Sequence, residues 1–466
     1  MRFRKGILIS LFLIFFLLPK IGYITEPMMD WDEGVYQTAA FYIVNGYLPY
    51  RDFFEQKPPL IYYFYALCIK IYDSFISFRI AYFLIFFFTE VFLYLISRLY
   101  LNEFFSLFSV FLFSISTSSF WASSFNGEQL FLLPLLISIY LFLKGSEEKR
   151  IYFYIAGIMA ALVFFIKYNG LIIIFPIFFL KFDWKKIFRF CIGFLLTSLL
   201  VFLFLFLNSI FRDFIFDTLI FNRKYIFVPG TKIFFKYGIY SLWEVFKDTY
   251  FVLIPSFLFF FYRFGRNEYI RLIKMFMIFS LISAIVPLKF LNHYFYPLVL
   301  FSSLGTVILL CKLKDSFRIK AILILFMVVI FLFYAVPSVK RASNFSILKV
   351  EKFYPPSVVS NFLERNSSPD DRIYLWRTHF LNTYYLSKRL PFTKYFFWYL
   401  LLRKPLPPKF LSEFKRDFKK FPPKFVVVGS SNIYRDKKFP LFEKMLEKKY
   451  EKVFSYKGER VYRLKN

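Results

Sequence analysis

Acidic and basic side chains gather in residues 30–60, DWDEGVYQTAAFYIVNGYLPYRDFFEQKPPL, directly after the first long apolar run of the chain. A carboxylate such as Asp32 could take a proton from a hydroxyl or an amine, and an ammonium such as Lys57 could hold a phosphate. The plainer alternative makes these side chains interfacial anchors or ion-paired partners. Because an isolated carboxylate in lipid is costly, this density of charge favours a site for a polar group that a lipid presents. The segment contains Asp30, Asp32, Glu33, Asp52 and Glu55, with Arg51 and Lys57.

Further cations are predicted at the same membrane depth. Arg79 opens the second apolar run, Lys167 separates the fifth from the sixth, and Lys289 and His293 separate the ninth from the tenth. Taken singly, each is an ordinary snorkelling or topology-setting residue. Together they would form a ring of positive charge around the acidic loop, which suits an anionic lipid headgroup.

The elements that must position these residues are apolar helices, because 58% of the chain is hydrophobic and 75 residues are Phe. The first run follows Arg2, Arg4 and Lys5 and could be a signal peptide, but its length and the absence of a small-residue cleavage site favour a retained helix. The sixth run is short and could be a broken helix. We predict about eleven spans, near 7–25, 78–97, 104–122, 128–143, 151–167, 170–180, 187–208, 247–262, 272–289, 292–311 and 319–337.

The basic residues between these spans set the predicted orientation. Lys and Arg concentrate in alternate gaps, which favours a cytoplasmic location for those gaps. The N-terminus is then cytoplasmic, and the acidic loop and the C-terminal part lie outside the cytoplasmic membrane. The gap 210–247 also carries six Lys or Arg, so the orientation is favoured rather than fixed.

The chain divides by hydropathy into a membrane region, 1–337, with a first outer loop at 26–77, and a soluble α/β region, 338–466. Short helices at the membrane surface are expected in the outer loop, at 35–46 and 59–72. In the soluble region we predict strands at 372–376 and 424–430, a hairpin over 452–464, and helices in SVVSNFLERN, HFLNTYYLSKRL and LSEFKRDFKKF. The fold class is therefore a mainly α, polytopic membrane bundle with a C-terminal α/β domain.

Charge and cysteine content exclude other classes of function. The net charge is +31, and residues 338–466 hold 29 Lys and Arg against 11 Asp and Glu. Membrane spans argue against a nucleic-acid partner, so the basic tail either meets lipid phosphates or an anionic surface polymer, or is simply a solvated surface. Cys68, Cys191 and Cys311 are scattered and predict neither a disulfide framework nor a zinc site.

At this point the sequence resembles a known group. The pattern DE...G..PY.D...KPP of residues 30–60 resembles the first outer loop of the glycosyltransferase family 39 and dolichyl-phosphate-mannose protein mannosyltransferase group, which shares the GT-C fold with the lipid A aminoarabinose transferases. Weaker likeness continues through Arg79, SSFNGEQL (123–130), GIMAALVFFIKYNG (157–170), NHYFYPL (292–298) and SSPDDRIYLW (367–376). The gap 210–247 does not align, and the tail is short and unusually basic.

The resemblance implies a glycosyltransferase that moves one sugar from a polyprenyl-phosphate carrier to an acceptor at the outer face. We expect no required cofactor. Oxygen ligands from Asp32, Asp52 or Glu55 would suit Mg²⁺ or Mn²⁺, although the spacing demands neither. By position, the resemblance implies Asp32 as base with Glu33 as its motif partner, Glu128 near the acceptor, and Lys57, Arg79, His293, Tyr294 and, more loosely, Lys167 and Lys289 at the donor phosphate. Asp52 and Glu55 are further candidates for the acceptor or cation site.

Two other classes of function stay open from the residues alone. A transporter or flippase of lipid-linked sugars would carry ionisable residues near the midplane and an inverted repeat, whereas Glu90 is the one acid well inside a predicted span and no repeat is seen. A binder of surface polymers would rely on the basic tail. The sequence also leaves open which sugar moves and whether the acceptor is a lipid, a glycan or a protein.

Overall fold

The helices of the chain follow the apolar runs, since each run is long enough to satisfy its own backbone hydrogen bonds in lipid. The computed structural model describes residues 2–24, 28, 30–118, 125–179, 183–226, 231–263, 267–288, 290–311, 317–344, 354–402, 408–429 and 440–465. The α-helices before residue 345 are α1 Arg2–Phe16, α2 Trp31–Val44, α3 Leu60–Ile71, α4 Phe75–Ser97, α5 Glu103–Ser116, α6 Gly127–Lys144, α7 Ile151–Ile166, α8 Trp184–Leu207, α9 Phe211–Ile215, α10 Phe221–Ile226, α11 Thr231–Phe261, α12 Glu268–Ile285, α13 Tyr296–Leu310 and α14 Phe317–Asn344.

Irregular helical turns join several of these helices. Tighter 3₁₀ turns cover Leu18–Tyr23, Tyr168–Phe179 and Asn292–Phe295, and a π-helical turn covers Phe216–Ile220. The short sixth run of the sequence is the 3₁₀ segment with Pro176 inside it, which accounts for its length because proline removes a helical hydrogen bond.

Five described helices are long and apolar enough to cross a membrane, as expected of a multi-pass membrane protein. They are Phe75–Ser97, Gly127–Lys144, Trp184–Leu207, Asn292–Leu310 and Lys320–Ser343. Shorter apolar helices lie at Gly6–Phe16, Leu60–Ile71, Glu103–Ser116, Ile151–Ile166 and Tyr168–Phe179. The total of about eleven spans stays a prediction.

Helices α11 and α14 extend furthest beyond the bounds that hydropathy suggested. Helix α11 begins at Thr231, inside the charged gap, because pairs such as Glu244 and Lys247, 2.7 Å apart, let polar residues continue the helix. Helix α14 continues past Pro337 to Asn344. Loss of apolar character therefore does not end either helix.

The chain forms two compact units. The membrane unit comprises Met1–Ile24, Phe78–Phe204 and Pro229–Asn344, and the loop–tail unit comprises Thr25–Ser77, Leu205–Val228 and Phe345–Asn466. The first outer loop thus groups with the C-terminal region rather than with the spans that precede and follow it. Hydropathy alone divides the chain differently, since it reads local composition and not contacts.

Small residues allow close helix packing within the membrane unit. A Cβ on Gly157 of α7 would lie 2.0 Å from the Phe190 carbonyl oxygen of α8, and one on Gly193 would lie 2.0 Å from that of Tyr154. Such reciprocal glycines are a usual means of bringing helix backbones together in membranes. The segment Leu18–Tyr23 packs on α14, where the Gly22 N–H donates to Ser338 Oγ at 2.7 Å.

The loop–tail unit contains a four-stranded mixed sheet. Its strands are β1 Ile373–Trp376, β2 Phe425–Val428, β3 Tyr450–Tyr456 and β4 Glu459–Leu464, in the order β1-β2-β4-β3. The parallel pair β1–β2 is buried throughout, as its apolar sequence predicts, and β3–β4 form the expected antiparallel hairpin. Helices α15 Pro355–Asn366, α16 Thr383–Leu386, α17 Pro408–Lys420 and α18 Pro440–Lys449 accompany the sheet, with a 3₁₀ turn at Trp398–Leu402.

Two helices of this unit differ from the prediction, because one is shorter than expected and the other was not predicted. Only Thr383–Leu386 of the segment HFLNTYYLSKRL is α-helical, and α18 was not predicted. Helices α2 and α3 lie where short helices were expected in the outer loop.

Candidate functional site

The start of α2 is built by the acidic residues of the loop. Asp30 is the N-cap, and its Oδ1 accepts a hydrogen bond from the Glu33 N–H at 2.9 Å. Asp32 and Glu33 occupy the first turn, where the helix dipole favours negative charge. Glu33 is buried, whereas the Asp32 side chain is 29% exposed. Asp32 is therefore within reach of solvent or a substrate, whereas Glu33 is not.

Asp32 forms an ion pair with Lys57. Lys57 Nζ lies 3.2 Å from Asp32 Oδ2 and 4.6 Å from the centre of the Tyr36 ring. Burial alone would lower the pKa of Lys57, but attraction to Asp32 and Glu55 outweighs it and raises the pKa. Lys57 is therefore a firmly protonated cation beside a partly exposed carboxylate.

Glu55 and Asp52 have different surroundings from Asp32. Glu55 is 3% exposed and accepts a hydrogen bond from the Tyr62 hydroxyl. Burial raises its pKa, and attraction to Lys57 only partly offsets that rise. Asp52 instead accepts from the Leu48 N–H at 2.8 Å and pairs with exposed Arg51. Asp52 thus stabilises the turn of the loop.

The main chain of residues 54–57 is held from several sides. The Phe54 N–H donates to the Lys394 carbonyl oxygen at 3.0 Å, and the Tyr50 hydroxyl donates to that of Lys57 at 3.0 Å. Asn222 Nδ2 donates to the Gln56 carbonyl oxygen at 2.8 Å. Lys57 therefore projects from a fixed backbone.

Metal binding by these acids was left open by the sequence. Across the described ranges, no three His, Cys, Asp or Glu side chains come together in a group that could hold a metal ion. Asp32, Asp52 and Glu55 accordingly do not form such a group.

A second cluster of the predicted residues lies in the membrane unit. Glu128, in the first turn of α6, is 1% exposed and forms an ion pair with Lys167, which follows the last residue of α7. His293 Nε2 lies 3.9 Å from Glu128 Oε2, and Lys167 Nζ lies 4.1 Å from the centre of the Tyr294 ring. Four residues from three segments that are far apart in sequence are thus brought together.

The position of Lys167 is fixed by its neighbour Asn169. Asn169 Nδ2 donates to the Ser283 carbonyl oxygen at 2.9 Å, and Ser283 Oγ donates to the Asn169 carbonyl oxygen at 2.8 Å. This reciprocal pair attaches the turn after α7 to α12. Arg79, in α4 of the same unit, is 1% exposed, and Lys289 lies outside the described residues.

Several polar residues of both units were not singled out by the sequence. In the membrane unit, buried Lys20 donates to the Ser114 carbonyl oxygen at 2.5 Å and lies 4.3 Å from the centre of the Phe86 ring. In the loop–tail unit, Trp31 donates its indole N–H to His379 Nδ1, and Tyr62, Asp217 and Asn222 contact residues 55–57. Such contacts join distant segments of the chain, so no local pattern in the sequence predicts them.

The chain resembles known proteins in part of its sequence and in its fold. Residues 56–211 match the family model described as dolichyl-phosphate-mannose-protein mannosyltransferase, which covers about a third of the chain. No curated protein sequence matches significantly.

Solved structures share the fold at low sequence identity. ArnT from Cupriavidus metallidurans in the apo state has a TM-score of 0.64 at 12% identity, with 95% of each chain covered. ArnT bound to undecaprenyl phosphate gives 0.66 at 11% identity, with 97% of each chain covered. The archaeal oligosaccharyltransferase AglB from Archaeoglobus fulgidus, in complex with an inhibitory peptide and a dolichol-phosphate, gives 0.53 at 13% identity, covering 97% of this chain and 74% of that one.

The match to the mannosyltransferase model and the shared fold agree with the residues that carried the resemblance in the sequence. The chain has the fold of these membrane proteins, and its resemblance to the GT-C glycosyltransferases of the family 39 type is confirmed.

Proposed function

We propose that the protein is an integral membrane glycosyltransferase, which moves a monosaccharide from a polyprenyl-phosphate-linked donor to a lipid, glycan or protein acceptor at the outer face of the cytoplasmic membrane. The observation that carries the proposal is the Asp32–Lys57 pair, 3.2 Å apart and partly exposed. It joins a proton acceptor to a cation that could hold phosphate, and both are open to a ligand.

The proposed reaction is a single displacement. Asp32 takes the proton of an acceptor hydroxyl or amine while the acceptor atom bonds to the anomeric carbon of the sugar. The bond from that carbon to the phosphate oxygen breaks, and its electron pair leaves on the polyprenyl phosphate. Inversion at the anomeric carbon is expected from the resemblance.

Lys57 has two roles in this proposal. In the free protein it forms an ion pair with Asp32. When a donor phosphate arrives, the ammonium can exchange Asp32 for the phosphate oxygens, and it then stabilises the charge that grows on the leaving group. This exchange frees Asp32 at the moment when a base is needed.

The cluster in the membrane unit is proposed to support the same reaction. Because Lys167 already pairs with Glu128, we assign Lys167 the role of positioning Glu128 and leave His293, Tyr294 and Arg79 as the proposed phosphate contacts. Glu128 is retained as the proposed acceptor-side acid. No step is assigned to a metal ion, and transfer in the presence and absence of EDTA tests that choice.

The test uses purified protein in nanodiscs with a panel of radiolabelled polyprenyl-phosphate sugars and a crude membrane extract as acceptor. We expect label to move into a new product with the natural chain and to fall by roughly 10³-fold in Asp32→Asn, which keeps the shape but not the base. Arg51→Gln, which removes a different charged side chain of the same loop, is the matched control and should retain transfer. Full transfer by correctly inserted Asp32→Asn would refute the proposal.

A transporter or flippase of lipid-linked sugars remains the second candidate. The observation in its favour is a pair of fully buried ionisable residues in the membrane unit, Lys20 and Glu90, since such residues often mark transport paths. Movement of labelled carrier across a vesicle membrane without a new product, abolished by Glu90→Gln, would favour transport over transfer.

A further inference from the structure

The π-helical turn Phe216–Ile220 has a distinct pattern of burial. Asp217 and Thr218 are buried, whereas Leu219 and Ile220 are exposed. Turns of this kind add a residue to a helix and change the direction of its side chains, and they are frequent at functional sites. Here the turn buries the acidic side chain of Asp217 within the loop–tail unit. Asp217 was not predicted to be a site residue, and it has no part in the proposed reaction.

Two side chains of this segment face consecutive peptide groups of the outer loop. The buried Asp217 carboxyl group faces the Glu55 N–H. Asn222 Nδ2 donates to the Gln56 carbonyl oxygen and to the Thr218 carbonyl oxygen, each at 2.8 Å. The next residue along the loop is Lys57, so these contacts set the backbone from which its side chain extends.

Aromatic packing reinforces the same attachment. The Phe54 ring lies edge to face with Phe221 at 4.9 Å and with Phe410 at 4.8 Å. Phe221 follows the π-helical turn directly. Ring pairs in this geometry are favourable beyond the area that they bury, and they leave the segment of residues 54–57 little freedom to shift.

The charged groups that face Asp217 are Glu55, Asp213 and Lys394. Burial raises the pKa of Asp217 to about 9, and Lys394 only partly offsets that rise. At neutral pH the group is thus an uncharged carboxylic acid. Because it carries no charge there, it can hold the Glu55 peptide without competing with Asp32 for the Lys57 ammonium.

We propose that Asp217 and Asn222 are positioning residues, which fix the Glu55–Gln56 main chain and thereby hold Lys57 Nζ beside Asp32. The consequence for sugar transfer rests on the proposed function. The contact itself can be tested without any activity.

The first test measures the protonation of Lys57 directly. Brief acetylation with acetic anhydride at a series of pH values, followed by peptide mass spectrometry, gives the pH at which Lys57 becomes reactive. In the folded chain the groups that face Lys57 are Asp32, Glu55 and Asp30, and they favour its charged form. We expect Asp217→Ala and Asn222→Ala each to move this pH down by roughly one unit, because the cation loses part of its pairing.

Matched variants separate positioning from general damage. Asp217→Asn keeps a carbonyl oxygen that can accept from the Glu55 N–H, and Leu219→Ala alters an exposed side chain of the same turn. Both should leave the reactivity of Lys57 unchanged. Continued protection of Lys167, in the membrane unit, reports that each variant is folded. An unchanged Lys57 profile in folded Asp217→Ala and Asn222→Ala would overturn the proposal.

The second test is transfer activity. Asp217→Ala should lower kcat by about tenfold, since displacement of a reacting group by about 1 Å can cost up to about a hundredfold, and Asp217→Asn should restore it. If the natural chain transfers no sugar, the proposed function fails while the acetylation result still decides the positioning role. If transfer is intact in Asp217→Ala although Lys57 shifts, the catalytic consequence is refuted.

Discussion

Two carboxylate–ammonium pairs among the predicted site residues differ in how far water reaches them. In the loop–tail unit, the Asp32 and Lys57 side chains are 29% and 22% exposed, whereas in the membrane unit Glu128 and Lys167 are 1% and 10% exposed. An exposed pair gains little energy from its contact and can exchange partners. A buried pair cannot lose one member without leaving an uncompensated charge. The same two chemical groups therefore suit a reaction in one place and a framework in the other.

The sharpest test of this contrast is Lys57→Ala. We expect transfer to fall by roughly 10²- to 10³-fold, the usual effect of removing one group that stabilises a transition-state charge. The melting temperature should change little, because Asp32 stays partly solvated. Transfer assays beside thermal denaturation in detergent make the measurement, and a large loss of stability would mean that this pair too is structural.

Lys167→Ala should have the opposite profile. Lys167→Ala removes the ammonium that pairs with the buried Glu128 carboxylate. We expect this loss to destabilise the protein by about 3–5 kcal/mol. Yield after purification and thermal denaturation are the measurements. The double variant Glu128→Leu with Lys167→Met should recover most of the stability, because it removes both charges. If Lys167→Ala remains as stable as the natural chain, the buried pair is not a framework.

The pH dependence of stability provides a third, smaller effect. An unfolded aspartate has a pKa of about 3.9, and burial raises that of folded Asp217 to about 9. Because the folded state holds the proton more tightly, this stabilisation is complete below about pH 4 and is lost as the pH rises through about 9. Asp217→Asn should flatten the fall in stability between pH 5 and 9, where one group contributes at most about 1.4 kcal/mol per pH unit. Chemical denaturation at several pH values measures the slope, and an identical slope in the variant would contradict the raised pKa.

The smallest effect is expected at the other ion pair of the loop, Arg51–Asp52. The Arg51 side chain is 50% exposed, so Arg51→Gln should change the free energy of unfolding by no more than about 0.5 kcal/mol. Urea titration of the purified protein detects a larger change. Such a change would show that the turn, and not only the Asp32–Lys57 contact, depends on its ion pairs.

Local signals explain which parts of the fold and the site could be predicted. Helices α2 and α3 and the strands of the sheet follow from apolar spacing and turn residues. The pairing of Asp32 with Lys57 was one of the open alternatives, because both residues belong to one short loop. Close spacing in sequence limited the number of arrangements that had to be considered.

Contacts between distant segments could not be predicted in the same way. Lys167 was assigned to the donor phosphate from its depth and from a loose resemblance, and neither predicted its ion pair with Glu128, 39 positions earlier in the chain. Asp217 lies in the gap 210–247, which does not align with the family that the sequence resembles. Its proposed role depends on a π-helical turn, which the amino-acid composition does not predict. Side-chain partners that folding brings together can be identified only from the structure, because residues at the same depth in the membrane need not be in contact.

The loop–tail unit combines segments from both ends of the chain, which has a consequence for biosynthesis. Thr38 of α2 donates to the Leu381 carbonyl oxygen, 343 residues later in the chain. At a synthesis rate of about 5–20 residues per second, roughly 20–70 seconds separate the emergence of these two partners from the ribosome. During that interval the helix that carries Asp32 has already left the ribosome and lacks its final neighbours. The first part of the proposed site to be made is thus among the last to be completed, and a chain that ends before residue 381 would never complete it.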